Sequence, residues 1–380
     1  MKSLSGYNIL KFGLLVYSIF AFLGISGMQI GVGIAFLGFV IFILEKNPVK
    51  FYLDENTKKI FIFLMLFFVS NIISTFVGNN FKLSLIEIIE FYGQIFLMFF
   101  LFNIKEDSFK RKLLYIIIFF ATLQASFGII QYFTKFDFFR KEVLDTRVRG
   151  TFSYFNTFGG LLGMIAPLVY SFFIYESKFK FRILFLFSFL IILLGLVFSF
   201  TRGAWLGTVF GIFLVSFKRF RYKSFLLILF LLFFIFFRPV KDRLLQTLKE
   251  PFGGRKEIWA TTFEMIKEKP IFGYGKANFR YVFYKKQHNF DEKGHFHPHN
   301  IWLTIAVDNG VIGAILFGII VFYILKIILQ KFLLISDKKY IVVGCTASIL
   351  DFLIHGLVDN VLRGETGYLF WFLIGIVSSI

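Results

Sequence analysis

The chain has 380 residues and one cysteine, Cys345, which lies inside an apolar segment. An internal disulfide and a cysteine-rich metal site are excluded, and the position suits a small buried core residue. Charge is scarce too: 17% of the residues are charged, where a soluble domain carries about 25%. Acidic residues are the scarcer kind, 23 Asp and Glu against 42 Lys and Arg, for a net charge of +19. No repeat, low-complexity tract or Pro/Ser-rich linker divides the sequence, so one integral domain over 1–380 is expected rather than a string of soluble modules. The first apolar run has no Ala-x-Ala-like cleavage site, and Gly24, Ser26 and Gly27 lead directly into the next run. That pattern predicts an uncleaved anchor.

What is abundant is apolar and aromatic: 57% of the residues are hydrophobic, 21% aromatic, and Phe alone fills 61 positions. Runs of membrane-spanning length, about 20 residues with tolerance for tilt, fall near 9–25, 27–44, 60–77, 85–102, 113–133, 158–175, 181–199, 203–217, 224–237, 300–329, 340–357 and 366–380. The expected fold is an all-α integral membrane protein with about 12 transmembrane helices. Alternate short loops are basic, with Lys46, Lys50, Lys58 and Lys59, then Lys105 to Lys112, Lys178 to Arg182, Lys218 to Lys223, and Lys331 to Lys339. The positive-inside rule assigns these loops and both termini to the cytoplasm.

Two loops on the opposite side are long, 134–157 and 238–298, and the second carries thirteen Lys/Arg against seven Asp/Glu. Orientation does not explain that charge; an anionic ligand or the lipid phosphate plane does. Within the larger loop, GRKEIWATTFEMIKEKP predicts an amphipathic helix that follows Gly253 and Gly254, sets Ile258, Thr262, Met265 and Ile266 near one face and stops at Pro270. Such a helix lies on the membrane surface or caps the bundle.

Arg202, in SFTRGAWLG, sits between two apolar runs with almost no loop. A cation costs about 2.5–3.5 kcal/mol at a helix centre and less near the interface, so it either snorkels to lipid phosphate or clamps an anion beside the helix start that Gly203 permits. Arg255 opens the loop helix, where unpaired N–H groups and the helix dipole favour a phosphate that a guanidinium can bind bidentately. Four of five histidines, His288, His295, His297 and His299, cluster in QHNFDEKGHFHPHN. A metal site on alternate positions is one reading, although Pro298 interrupts the strand, no cysteine joins the set, and Asp291 or Glu292 would have to fold back. The other is a binding loop in which His299, at the start of the next apolar helix, takes a proton from a hydroxyl. GYGKANF at 273–279 lacks the strand and helix of a nucleotide loop and reads as a turn. Asp308, Asp351 and Asp359 lie within or beside spans and either pair structurally, for instance with Arg363, or serve function. Trp259, Tyr274, Tyr281 and Tyr284 suit interface anchoring or sugar stacking.

The ordered set SFTRGAWLG, GGRKEIWATTFEMIKEKPIFGYGKANF and HPHNIWLTIAVDNGVIG resembles the O-antigen ligase and polymerase superfamily of bacterial envelope proteins over about residues 147–380. RGTFSYFNTFGG at 149–160 is similar to that family's Gly-Thr-Phe segment with a following Asn. The first five spans match only in hydropathy. The resemblance implies a metal-independent, inverting glycosyltransferase without cofactors that uses a polyprenyl-diphosphate-linked glycan in the bacterial inner membrane, with its site facing the periplasm. Arg202 and Arg255 would hold the diphosphate and His299 would activate the acceptor hydroxyl; Arg147, Arg149, His297 and Asn300 would contact substrate. Partners are then the lipid-linked donor, a lipid A-core or other glycan acceptor and membrane lipids, not nucleic acid. Ligation of O-antigen to lipid A-core is the leading expectation. Polymerisation onto a second lipid-linked repeat uses the same motifs, and transfer to a protein is a third variant. A transporter of the lipid-linked glycan is the competing class, but no inverted repeat supports it.

Overall fold

The structure is a computed structural model that describes residues 5–45, 55–144, 147–220, 241–243, 245, 255–287, 297–334 and 340–380. The span expected near 224–237 lies outside the described residues, as do Gly253, Gly254, His288, Asp291, Glu292 and His295. The helices run α1 Gly6–Phe20, α2 Ile25–Leu44, α3 Glu55–Val77, α4 Phe81–Phe102, α5 Asp107–Thr134, α6 Phe155–Tyr175, α7 Phe179–Ser199, α8 Arg202–Phe220, α9 Arg255–Glu268, α10 Phe279–Lys286, α11 Ile301–Leu334, α12 Tyr340–His355 and α13 Gly364–Ser379. A two-stranded antiparallel hairpin, β1 Phe136–Asp137 and β2 Glu142–Val143, sits between α5 and α6. The fold is all-α, and α2, α3, α4, α5, α6, α7 and α11 are long and apolar enough to cross a membrane. The apolar helices α1 and α12 are shorter. The break between α1 and α2 falls at residues 21–24, ahead of Ser26, because Phe20 O accepts the N–H groups of both Leu23 and Gly24 in a tight turn.

Burial separates the helices into two populations. In the apolar window of α6 83% of residues are buried, whereas in the other spanning windows 33–44% are. Helix α6 is therefore central, along with α13, where the run Thr366–Val377 is buried throughout. The outer helices show large apolar side chains such as Phe76 and Phe133 on their free faces, a surface that only lipid solvates without cost. One core cluster runs from Leu10 on α1 to Val377 on α13.

Contacts at the helix ends distinguish two faces. On one, Gly6 N–H donates to Glu45 (2.9 Å), Tyr7 bonds Glu106, Lys110 donates to Ser379 O (3.0 Å) and Lys331 to Val377 O (2.9 Å), so both termini and the lysine-bearing short loops share that face. The α3–α4, α5–α6, α7–α8 and α12–α13 connections, with α9 and α10, gather on the other. Helix α9 follows its expected bounds and buries Thr262 together with Ile258 and Met265; the latter two join Tyr274, Phe279 and Val307 in a satellite cluster that caps the bundle.

Candidate active site

Six segments converge on this second face. The loop before α6 brings Arg147, whose Nε donates to Ser199 O at the end of α7 (2.9 Å) and whose Nη2 donates to Asn156 Oδ1 (3.0 Å) and Thr201 Oγ1 (3.3 Å). The guanidinium carbon lies over the Phe155 ring, 3.3 Å from its centre, a cation–π contact. Asn156, in the first turn of α6, donates through Nδ2 to Asp359 Oδ2 (2.7 Å) and so bridges Arg147 to the α12–α13 loop. Asp359 Oδ1 faces His299 Nδ1 at 3.0 Å and accepts the Asn360 N–H at 2.8 Å. Asp359 is 5% exposed, and a carboxylate so enclosed needs this many donors to stay charged. Burial alone would raise its pKa; the hydrogen bond from His299 and the neighbouring His297, His299 and His355 outweigh burial and hold the carboxyl well below the usual range.

His299 precedes α11 in a left-handed conformation, φ 53°, one that a non-glycine residue keeps only when its surroundings impose it. They do so from three sides. His299 N–H donates to His297 Nδ1 (3.2 Å), Trp259 Nε1 on α9 donates to Pro298 O (2.8 Å), and Asn300 Nδ2 donates to Leu357 O (2.8 Å). Asn300 also caps α11, its Oδ1 accepting Leu303 N–H at 3.0 Å. His297 packs edge-on to His299 with ring centres 4.5 Å apart. Burial, then the proximity of His299 and the cations Arg363 and Arg255, pushes its imidazole down to about 3, so it is neutral at pH 7.

The cations complete the site. Burial and the like charges of Arg243, Arg202 and Arg255 push the Arg147 guanidinium down to about 9, with Asp359 opposing; it still carries its charge at neutral pH. Arg255, at the start of α9, is lowered by burial and by Arg202, against Asp359. Arg243 is lowered by burial, Arg202 and Arg255. Four guanidiniums therefore act on one another around one carboxylate, and an anion with several oxygens relieves that repulsion. At the first position of α8, Arg202 belongs to this group. A Cβ on the following Gly203 would come within 2.6 Å of the His355 ring, so glycine there lets α8 approach α12 closely enough to deliver Arg202.

The structure thus brings together Arg147, Arg202, Arg255, His297 and His299, with Asn300 holding the helix start. Arg149 stands apart: its Nε donates to Asp137 Oδ2 (3.1 Å) and its Nη2 pairs with Glu142, which ties it to the β1–β2 hairpin. Asp359 pairs with His299 and Asn156, not with Arg363, whose partner is Glu87 at 2.6 Å. Three contributors were not legible as such. Arg243 is one of thirteen cations in its loop, and Asn156 and Asp359 acquire their roles only through partners 203 and 60 residues distant. His297, His299 and Asp359 also have ligand atoms within 4.8 Å of one another. The four cations beside them oppose a divalent ion, and His297 Nδ1 is already engaged by the His299 N–H.

Residues 187–318 match the family model described as O-antigen ligase. A Rickettsia conorii protein provisionally named a polysaccharide ligase is 41% identical over 75 residues, a stretch that covers 18% of this chain and 18% of that protein. The family match includes Arg202, Arg243, Arg255 and His299, while Arg147, Asn156 and Asp359 reach the same site from outside it. The family match covers about a third of the chain, and over residues 187–318 the chain is similar to O-antigen ligases.

Proposed function

We propose that this protein transfers a glycan from a polyprenyl-diphosphate carrier to a hydroxyl of a lipid A-core sugar, as an O-antigen ligase-like glycosyltransferase of the bacterial inner membrane whose site faces the periplasm. The observation that carries the reading is the set of four guanidiniums beside a His299–Asp359 pair, all on the face opposite the lysine-bearing loops. A proton on Nδ1, donated to Asp359 across the 3.0 Å contact, would leave the imidazole lone pair on Nε2, the form a general base needs.

The acceptor hydroxyl oxygen attacks the anomeric carbon of the donor sugar as its proton passes to His299 Nε2. The bond from that carbon to the phosphate oxygen breaks, and its electron pair leaves with the diphosphate. Arg147, Arg202, Arg243 and Arg255 meet the charge that grows on the leaving group, and Asp359 stabilises the imidazolium. A single displacement of this kind inverts the anomeric configuration. The charge neutralisation that a divalent ion supplies in other transferases falls here to guanidiniums, so the reaction is metal-independent.

The envelope glycans of a strain deleted for the gene test the reading. Bare lipid A-core with long glycan stranded on the polyprenyl carrier is expected. Core capped by one repeat would make the protein a polymerase, and an unchanged profile would remove both activities.

A further inference from the structure

A cavity of about 50 Å³ lies beside His297, with Arg363 but none of the four site arginines in its wall. His297 and Asn360 line it, and they neighbour His299 and Asp359 in the chain, so cavity and active site share a wall. Its depth follows α4. Asn80 caps that helix on the active-site face, and the lining residues Glu87, Glu90 and Gln94 descend from there, about 10 Å from first to last at 1.5 Å per residue. The cavity therefore enters the apolar slab from the face where the chemistry is placed. A polar recess at that depth costs free energy and calls for a ligand or a job.

Its lining differs in kind from the arginine group. Glu87, Glu90 and Asp308 face Lys276 and Arg363, so charge is nearly balanced where the neighbouring site is strongly cationic. Lys276 arrives on the GYG turn: Gly273 and Gly275 have φ of 69° and 83°, conformations open to glycine, and the Tyr274 and Gly275 N–H groups donate to Val307 O (3.0 Å) and Asp308 O (2.9 Å) on α11. The ammonium then lies 4.0 Å from the centre of the Phe91 ring, and burial, against the pull of Asp308 and Glu87, lowers its pKa.

Two amides in the wall point to a ligand independently of those charges. Gln94 and Asn309 are each 1% exposed, and among the described residues Gln94 Oε1 and Asn309 Oδ1 have no hydrogen-bond partner. Asn309 is oriented by its neighbours, because its Nδ2 donates to Asn71 Oδ1 (3.0 Å) while Asn71 Nδ2 donates to Phe67 O (2.7 Å). The orphan atom is thus an acceptor. A buried acceptor left unpaired is costly, and carboxylates with bare amide oxygens together require a ligand that brings several donors without net negative charge. Sugar hydroxyls meet that requirement; a diphosphate does not.

We infer that this cavity is the subsite for the acceptor sugar, which lies between Glu90, Gln94 and Asn309 with one hydroxyl reaching past His297 to His299, while the diphosphate occupies the arginine side. The inference rests on the transfer reading above and adds the residues that select the acceptor.

The test uses the full chain in lipid nanodiscs. Glu90→Gln and Gln94→Leu, both close in size to the native side chains, are expected to raise the KM for acceptor about tenfold, the loss of one good hydrogen bond, with the donor KM unchanged. Arg202→Ala is expected to do the reverse. A second measurement needs no turnover: modification of Glu90 by a hydrophobic carbodiimide, followed by mass spectrometry, with de-acylated lipid A-core oligosaccharide or inorganic pyrophosphate as the protecting probe. Protection by the oligosaccharide alone supports the subsite, even if transfer fails and the proposed function with it. Protection by neither probe, protection by pyrophosphate, or an equal rise of both KM values overturns the subsite.

Discussion

Around the His299–Asp359 pair four guanidiniums surround a single carboxylate; the cavity that His297 lines holds two cations, three carboxylates and two amide oxygens without a hydrogen-bond partner among the described residues. The segment before α11 and the α12–α13 connection contribute to both regions, and both lie on the face away from the termini. What separates them is the sign of what is left over. Surplus positive charge, half-buried and mutually repelling, is held in readiness for an anion. Surplus acceptors with balanced charge are held in readiness for hydroxyl donors. The proposed transfer would use both, with the His299–Asp359 pair next to His297 and Asn360 in the cavity wall.

The largest effects are expected at that junction. His299→Ala should lower transfer by about 10²–10⁴-fold, the usual contribution of a general base, and Asp359→Asn by about one to two orders of magnitude, because the imidazole loses the acceptor that orients it. Both are read as initial rates of glycan transfer by purified protein. Next come the cations. Arg255→Ala or Arg147→Ala should cost about 10²-fold, with lysine a poor substitute because it lacks the fork. Arg149→Ala should stay within about threefold, as its charge is spent on Asp137 and Glu142. Equal losses at Arg147 and Arg149 would erase the boundary drawn between active site and hairpin.

A smaller effect concerns pH. His297 titrates near 3 when folded and near 6.5 when unfolded, so between those values the unfolded chain binds more protons and stability falls as pH falls. Asp359, depressed in the fold, stabilises above the unfolded carboxyl value of about 3.9, and its contribution is lost below that. Thermal unfolding in nanodiscs should therefore shift downward from pH 7 to pH 4, and His297→Asn should flatten the upper part of that slope. The smallest expected change is none: a chelator should leave transfer intact, and His297→Ala should harm it less than His299→Ala. Chelator sensitivity with equal losses at both histidines would assign His297, His299 and Asp359 to a metal.

Hydropathy made the spans legible, because a 3.6-residue helix satisfies its own backbone in lipid and leaves only the side chains to report the solvent. Eleven of the twelve expected spans coincide with described helices, and the α9 helix was readable from its apolar spacing and Pro270. Arg202, Arg255 and His299 were legible because each stands at a helix start, where a charged or titratable group asks for a reason. The partner of His299 was not, since Asp359 is 60 residues away and its neighbour Arg363 offered a simpler pairing that the structure gives to Glu87. Nor was the cavity. Glu87, Glu90 and Gln94 look like blemishes in an apolar run until α11 and the GYG turn bring Asp308, Asn309 and Lys276 against them.

The most direct measurement reconstitutes the protein in proteoliposomes with a labelled glycan on polyprenyl diphosphate and lipid A-core as acceptor, and counts glycan transferred against polyprenyl diphosphate released. One glycan transferred for each polyprenyl diphosphate released is expected, with both products lost in His299→Ala. Movement of the lipid-linked glycan across the bilayer without release of the diphosphate would contradict it and make the protein a transporter.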